Sequence, residues 1–519
     1  QRQRTDYGSA HWQSRSELIR NKMLTDNPGI GYVVGRPING LLRRVFDKQF
    51  RMNRFIMSEA IPHVLMVAPT RAGKGVGFVI PNLLSFLGSV VVLDVKGENF
   101  EKTARRRKKM GDEVYRFAPF DWERGTHRYN PLLRIAKAKT YNERYTETSI
   151  LADLFLDKAN NQNDTFTEAG KTIFIAGCLL AIQRGKPNLG EVNRIISEGA
   201  DKNQQYSYYV EESDEESLKL LWQNAASASD RLLTSNIQAL KTAGLKQWDN
   251  PAVVAATLTN DFDFATFRKT TASLYICVSE DHISSLAPLL RLLFADLIAT
   301  LRLKEPGPDE EYPVMIMIDE FQQMGAMPYL EKAIHTLASY GGRIAMIAQS
   351  LASLDKIYGR EGRESLENGA GLKLFITPRE ERSVKEASAS VGKTTVEALT
   401  TSFGRNKGLF GATSTTARLE ERPLLSETEA RFMDPDEIVI LAPPQYPIKA
   451  RRIKYFEDPY FIALDKYQEG VDLPYPPVPV LDESEQQAMA DAKDRKELSK
   501  APPPFKRAKR AEKPEHVEK

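Results

Sequence analysis

The sequence predicts an α/β fold with a mainly parallel sheet, interrupted by an inserted all-α domain. Three observations carry this. Short β-rich apolar runs recur as HVLMVAP (63–69), SVVVLDV (89–95), EVYRFAP (113–119), ASLYICV (272–278), PVMIMID (313–319), RIAMIAQ (343–349) and LKLFIT (372–377), each followed by a segment of helix length. Their apolarity is continuous rather than alternating, the mark of strands buried on both faces in a parallel sheet. Between about Ala138 and Phe267 the strand pattern stops and helical spacing replaces it.

The elements follow in chain order. Strand 63–69 enters a glycine-bearing turn and then VGFVIPNLLSFL at helical spacing, and strand 89–95 precedes the helix that carries RRRKK (105–109), a basic run read as a solvated helix face. The central interval holds SILADLFL, EAGKTIFIAGCLLAIQ, EESLKLLWQNAAS and DRLLTSNIQALKTAGL, separated by the polar breaks DKANNQND and EESDEES. Helices lodged between two strands of one sheet behave as a subdomain. After Thr377 the pattern loosens: GRNKGLFGATSTTA (404–417) reads as a mobile loop, whereas SETEARFM (426–433) has Ser426 and Glu429 spaced as a capping box. From Leu473 the Pro- and Lys-rich composition cannot bury a core and reads as a disordered tail. The expected divisions are 1–137 and 268–472 for the two parts of the sheet domain, 138–267 for the helical domain and 473–519 for the tail.

At 519 residues the chain exceeds one core, so two or three domains are expected. Its 72 Lys and Arg nearly cancel 69 Asp and Glu, so charge singles out neither nucleic acid nor an acidic partner. Two cysteines, Cys178 and Cys277, lie far apart without metal-ligand spacing and read as buried free thiols in a reducing compartment. No run of about 18 apolar residues occurs and QRQRTDYGSAHW resembles neither signal peptide nor membrane span, which reads as soluble. The chain begins at Gln1 without an initiator Met, which leaves open a removed N-terminal segment and membrane anchor.

The chemistry concentrates in APTRAGKG. Phosphate binding requires several backbone N–H groups facing one concavity at a helix start, and a lysine for the outer phosphates. The strand–loop–helix context supplies both, making Thr70, Arg71, Ala72, Gly73, Lys74, Gly75 and Val76 the candidate nucleotide-binding segment. Two positions depart from the usual loop. Ala68 replaces its first glycine, which matters only if that residue needs positive φ, and Gly75 replaces the Ser or Thr that holds Mg²⁺. A metal would then rely on water, Thr70 or a distant carboxylate.

PVMIMIDEFQQMG ends a buried strand in adjacent carboxylates, so Asp319 is read as the Mg²⁺ partner and Glu320 as the group that orients or deprotonates water. Gln349 ends a further strand, where an amide senses a γ-phosphate or caps the next helix. Asp94 touches nucleotide or metal, or caps the RRRKK helix. Arg343, Arg379 and Arg382 are candidates for an arginine acting across a subunit boundary, and spacing does not choose among them.

With these motifs assembled, the sequence resembles the type IV secretion coupling proteins, the VirD4/TraG family of P-loop ATPases. The likeness runs through YGSAHW (7–12), APTRAGKGVGFVIPNLL, LDVKGENF, FAPFD with YNPL (129–132), SSLAPLLRLLF, IDEFQQMG, IAQSLASLDKIYG, ERPLLSETE and KYFEDPYF (454–461), almost the entire chain except the tail. A GKG loop is frequent in that family. The resemblance implies a RecA-like domain that binds ATP and Mg²⁺, with Lys74 as phosphate lysine, Asp319 and Glu320 as metal and water pair and Gln349 as sensor amide. It also implies a homo-hexameric ring at the cytoplasmic face of the bacterial inner membrane, beneath secretion-channel components, although a fragment without membrane helices is as well a monomer. The helical domain would select cargo, whether protein effectors or a relaxase with single-stranded DNA. Two other functions compete: a cytosolic DNA-translocating ATPase, and a docking receptor that binds nucleotide without motor activity.

Overall fold

The structure, a computed structural model, describes residues 8–38, 55–156, 164–403 and 413–476, with side chains at 164–167 and 397–417 left out. Fourteen strands are described: β1 (Leu24–Thr25), β2 (Tyr32–Pro37), β3 (Phe55–Ser58), β4 (His63–Val67), β5 (Ser89–Asp94), β6 (Glu113–Phe117), β7 (Ala272–Cys277), β8 (Val314–Ile318), β9 (Gly342–Ala348), β10 (Gly371–Phe375), β11 (Lys393–Phe403), β12 (Thr413–Pro423), β13 (Glu437–Leu441) and β14 (Ile448–Arg451). The chain divides into two compact units, one of residues 1–86 and 344–463 and one of residues 87–343 and 464–519.

In the first unit the main strands run in the order β1-β3-β2-β14-β13-β10-β4-β9. β4 pairs in parallel with β10 and β9, and the other pairings are antiparallel. All five residues of HVLMV are buried because β4 has a neighbour on each side, and that two-sided burial accounts for its unbroken apolarity. A π-helical turn, Gly75–Val79, follows and continues as the helix Ile80–Ser85. Asn82 anchors it: buried, its amide accepts from Val33 N at 2.8 Å and donates to Val33 O at 2.9 Å and Phe78 O at 2.8 Å. These bonds satisfy β2 backbone groups beside the bulge between Val33 and Gly35. Asp458 of KYFEDPYF accepts from Arg36 Nε, and Tyr460 and Phe461 pack edge-on against Phe55.

The strands β11 and β12 form a separate antiparallel hairpin, from Lys393↔Pro423 to Phe403↔Thr413. The expected loop at 404–417 is thus corrected at 413–417, which belongs to β12; residues 404–412 lie outside the described residues. Polarity suggested a loop, but threonine is β-branched and extends readily once a ladder partner satisfies the backbone. Ser426 caps Glu427–Arg431 and Glu429 returns the bond to the Ser426 backbone, a full capping box.

In the second unit four strands, β8-β5-β7-β6, are all parallel. Among the described residues the chain between β6 and β7 is helical, from Pro131–Ala136 through Pro251–Ala256 with short 3-10 turns. This segment has its own aromatic core: Trp222 sits 4.9 Å from the Tyr206 ring and 5.0 Å from Tyr209, whose hydroxyls donate to the carbonyls of Ile196 and Ile195. Its entry and exit are tied by Asn130 of YNPL, fully buried, which donates to Pro187 O and Leu258 O, while its own N–H donates to Asn260. That cluster explains how a helical insertion leaves and rejoins a sheet without fraying it.

The helix Glu280–Arg302 is apolar enough over 18 residues to cross a membrane by composition, yet 72% of that window is buried inside the protein, the state of a core helix. Pro288 lies within it. Gln247 repairs the break by accepting from Leu289 N at 2.9 Å and donating to Ser285 O.

Two further expectations change in this unit. Arg107 of RRRKK is fully buried rather than solvated: its guanidinium pairs with Asp112 at 2.6 Å and donates to Ser273 Oγ at 2.8 Å. The stretch read as tail contributes Tyr475, whose ring lies 5.2 Å from that of Phe100 and 5.5 Å from the Arg116 guanidinium; residues 477–519 lie outside the described residues. Of the two free thiols, Cys178 is buried as expected and Cys277 is partly exposed.

Candidate functional site

In the first unit the candidate segment leaves the carboxyl end of a buried parallel strand, the usual place for ligands in α/β sheets. Register sets its neighbours. Val67 pairs with Ala348 of β9 and Phe375 of β10, and Ala68 N donates to Ala348 O at 2.9 Å. Gln349 and Thr377 therefore emerge beside the start of the loop. Thr70 and Arg71 are exposed, Ala72 is buried, and Gly73 to Val76 are half-buried.

Within the loop Arg71 has φ +65° and Gly73 φ +80°, while Lys74 is already helical at φ −53°. Left-handed residues set among right-handed ones turn successive N–H groups toward one side, the geometry of an anion-binding nest. Arg71 adopts this conformation without being glycine, at a cost on the order of 1 kcal/mol. Ala68 is not among the positive-φ residues, so its methyl group stands in for glycine without strain. A Cβ added at Gly75 would meet no atom within 4 Å, so glycine there is not a packing requirement.

The side chain of Ser350 accepts from Ser353 N and caps Leu351–Ala370, so the helix cap is supplied by Ser350 and not by Gln349. Thr377, β-branched with φ +38°, follows the bond from Ile376 N to Val67 O at 3.0 Å. Among the arginine candidates in this unit, Arg382 pairs with Asp355 at 2.7 Å and Arg379 is exposed.

Sequence reasoning missed Arg452, just beyond β14. Its Nη1 donates to Ala72 O at 3.0 Å and its Nη2 to Asp436 at 3.0 Å. No motif points to this residue, because its partner in the loop is a carbonyl, which any residue supplies.

In the second unit the ends of β8, β5 and β7 gather acids. Leu93 pairs with Ile318 and Asp94 with Cys277, so Asp319 and Asp94 leave adjacent strands. Glu320 is 8% exposed and left-handed at φ +53°; its N–H donates to Asp319 Oδ1 at 2.9 Å and its carboxylate accepts from Gln322 at 2.6 Å. This turn aims two consecutive carboxylates differently, which an extended backbone would also do but without the bond that fixes Asp319.

Asp94 caps Glu98–Lys109 by accepting from Phe100 N at 2.8 Å and Asn99 N at 3.3 Å. Burial pushes its carboxyl up to about 6, these N–H groups lower it, and the Asp319 charge adds to the rise. Asp319 and Asp94 are hard oxygen donors of the kind Mg²⁺ takes alongside phosphate and water. Among the described residues no cluster of three or more His, Cys, Asp or Glu forms a larger metal cage. Arg343, the remaining arginine candidate, also falls in this unit.

Comparison with known proteins shows the family and the fold. The family model for type IV secretory system conjugative DNA transfer matches residues 2–478. Protein VirD4 of Rhizobium rhizogenes is 34% identical over 478 residues, 92% of this chain and 69% of that protein. Protein VirD4 of Agrobacterium fabrum is 37% identical over 80% of this chain, which spans 62% of its length, and conjugal transfer protein TraG of Escherichia coli is 27% identical over 88% of this chain and 77% of its own. Among solved structures, the bacterial conjugative coupling protein TrwBdeltaN70 is similar at TM-score 0.62 and 14% identity, covering 86% of this chain and 95% of its own. Plasmid coupling protein TrwB in complex with ADP and Mg²⁺ is similar at TM-score 0.63 and 15% identity, with 86% and 96% covered. These neighbours share the RecA-like P-loop fold. By the model match over residues 2–478 and the 34% identity across 92% of its length, the chain belongs to the type IV secretion coupling-protein family of VirD4 and TraG.

Proposed function

We propose that this chain is the ATPase of a type IV secretion coupling protein, recruiting cargo and handing it to the secretion channel with ATP. The observation that carries the reading is the loop after β4, where left-handed Arg71 and Gly73 precede a helical Lys74. In it Thr70 to Val76 cradle the phosphates and Lys74 neutralises the outer ones. Asp319 holds Mg²⁺ directly or through water, Glu320 orients or deprotonates the attacking water, and Gln349 senses the γ-phosphate. Mg²⁺ supplies neutralisation of the phosphate charge when bound. Family membership and the ADP–Mg²⁺ complex of the TrwB neighbour support the same assignment.

The cargo is a protein effector or a relaxase with single-stranded DNA, received on the helical segment between β6 and β7. The working assembly is a homo-hexamer at the cytoplasmic face of the inner membrane. A second reading, a docking receptor that binds nucleotide without turnover, is favoured by Gly75 alone, which brings no hydroxyl to the metal.

ATP binding and steady-state hydrolysis measured against protein concentration, with and without single-stranded DNA, separate the two. Lys74→Ala should lose ATP binding, and Glu320→Gln should bind ATP without turnover. Hydrolysis rising faster than linearly with concentration supports the ring motor. Turnover no greater than that of Glu320→Gln at every concentration supports the receptor, and equal ATP affinity in wild type and Lys74→Ala refutes the site.

A further inference from the structure

Arg452 lies along the phosphate-loop candidate as a strut. Its guanidinium bridges the loop carbonyl of Ala72 and the Asp436 carboxylate, both at 3.0 Å, and its N–H donates to Asp436 O at 2.7 Å. Lys454 Nζ braces the same carboxylate at 2.8 Å. The arginine side chain is 13% exposed, and its Nε is buried with no hydrogen-bond partner.

The loop glycines are shaped around this side chain. A Cβ at Gly73 would fall 1.4 Å from Arg452 Nη1, and one at Gly77 would fall 2.6 Å from its Cγ and 2.9 Å from its Cδ. Gly75, between them, meets nothing within 4 Å. The two glycines therefore clear a groove for the arginine, and the third faces open space.

We propose that Arg452 is a positioning residue of the nucleotide site: by holding the Ala72 carbonyl outward it fixes the loop N–H groups in their phosphate-binding arrangement. The ligand class is nucleoside di- and triphosphate, since a monophosphate makes least use of the loop. This rests on reading the loop as a nucleotide site. Arginine suits the task because its planar fork donates to two acceptors at once, which an ammonium on a flexible stem does not do in a fixed geometry.

The test compares affinities for ATP, ADP and AMP with Mg²⁺ on the full chain for wild type, Lys74→Ala, Arg452→Ala, Arg452→Lys, Gly77→Ala and Gly77→Ala/Arg452→Ala. Arg452→Ala should weaken ATP at least tenfold while AMP changes less than threefold. Arg452→Lys keeps the charge but should recover under half of that loss on a logarithmic scale. Gly77→Ala should weaken ATP in the wild-type background and lose most of that effect in Arg452→Ala, because the two nearest atoms, Arg452 Cγ and Cδ, are then gone and only the Ile453 carbonyl at 3.1 Å still crowds the added methyl group. If Lys74→Ala loses ATP while Arg452→Ala and Arg452→Lys both keep the wild-type ATP-to-AMP ratio within twofold, the inference is overturned and the nucleotide site stands. If Lys74→Ala keeps ATP affinity, the site reading itself falls and takes the inference with it. Should Arg452→Ala fail to fold, Arg452→Lys and Gly77→Ala decide by the same ratio.

Discussion

Replacing Arg107 by methionine should unfold the second unit well below the wild-type temperature. The guanidinium has 0% exposure, pairs with Asp112 at 2.6 Å and donates to Ser273 Oγ at 2.8 Å, and Ser273 in turn donates to Asp112 at 2.5 Å. Methionine roughly fills the stem but leaves the Asp112 carboxylate, whose side chain is 2% exposed, without its counter-charge. Removing one partner of a buried pair costs about 3–5 kcal/mol, far more than the pair contributes over an apolar substitute. At roughly 2 °C per kcal/mol for a unit of this size, that is a fall of about 6–10 °C in Tm. The assay is thermal unfolding of Arg107→Met, Asp112→Asn and the double variant. The double should lose at least ~2 kcal/mol less than the two singles together, since the charge stranded by each is absent. A loss below ~1 kcal/mol for Arg107→Met, or strict additivity, would refute the argument and return this residue to the solvated face that the run RRRKK suggests.

Three other outcomes are expected. Asn82→Ala strands Val33 N, Val33 O and Phe78 O in a buried position, so thermal unfolding should show a loss of about 3 kcal/mol; a loss under 1 would mean that water replaces the amide. His11 and Glu17 lie 2.9 Å apart: the bond from His11 draws Glu17 down to about 2 and, against the burial that lowers it, the Glu17 bond leaves His11 raised. Glu17 contributes above 4.5 and loses its contribution toward 2, while His11 contributes below 6.5 and loses it above its raised value. His11→Gln should therefore destabilise the protein more at about pH 5.5 than at about pH 8.5, by about 1 kcal/mol or less for a half-buried pair; equal effects at both pH values would exclude the ion pair. Gly75→Ser has open space for its side chain, so calorimetric titration should find Mg²⁺–ATP affinity no weaker than wild type and stability within ~0.5 kcal/mol; a tenfold loss of affinity would show that the site cannot accept the hydroxyl.

Strands β4 to β10 were legible because burial on two faces writes itself as unbroken apolar runs such as HVLMV and VMIMI, whereas β1 to β3 and β11 to β14, joined by antiparallel pairings, were not read from the sequence. The glycine-bearing turn and the acid pair were legible for a related reason. Phosphate and metal chemistry need particular side chains, or their absence, at fixed chain spacing. Arg107 misled because a run of five basic residues looks alike whether one of its members faces water or a buried carboxylate. Arg452 was invisible because it meets the loop through a carbonyl, and no sequence pattern encodes a backbone partner 380 positions away.

By itself, then, the sequence determined strands β4 to β10, the helical interval and the capping box at Ser426, and it offered the residues of the proposed nucleotide chemistry, all properties of neighbours along the chain. Strand order, the cap that Asp94 supplies to its helix, the tie that Asn130 makes between the ends of the helical segment and the Gly73–Gly77 groove for Arg452 were decided only in three dimensions. Each depends on which distant groups the packed sheet brings within hydrogen-bonding distance. That proximity is a property of the folded chain alone.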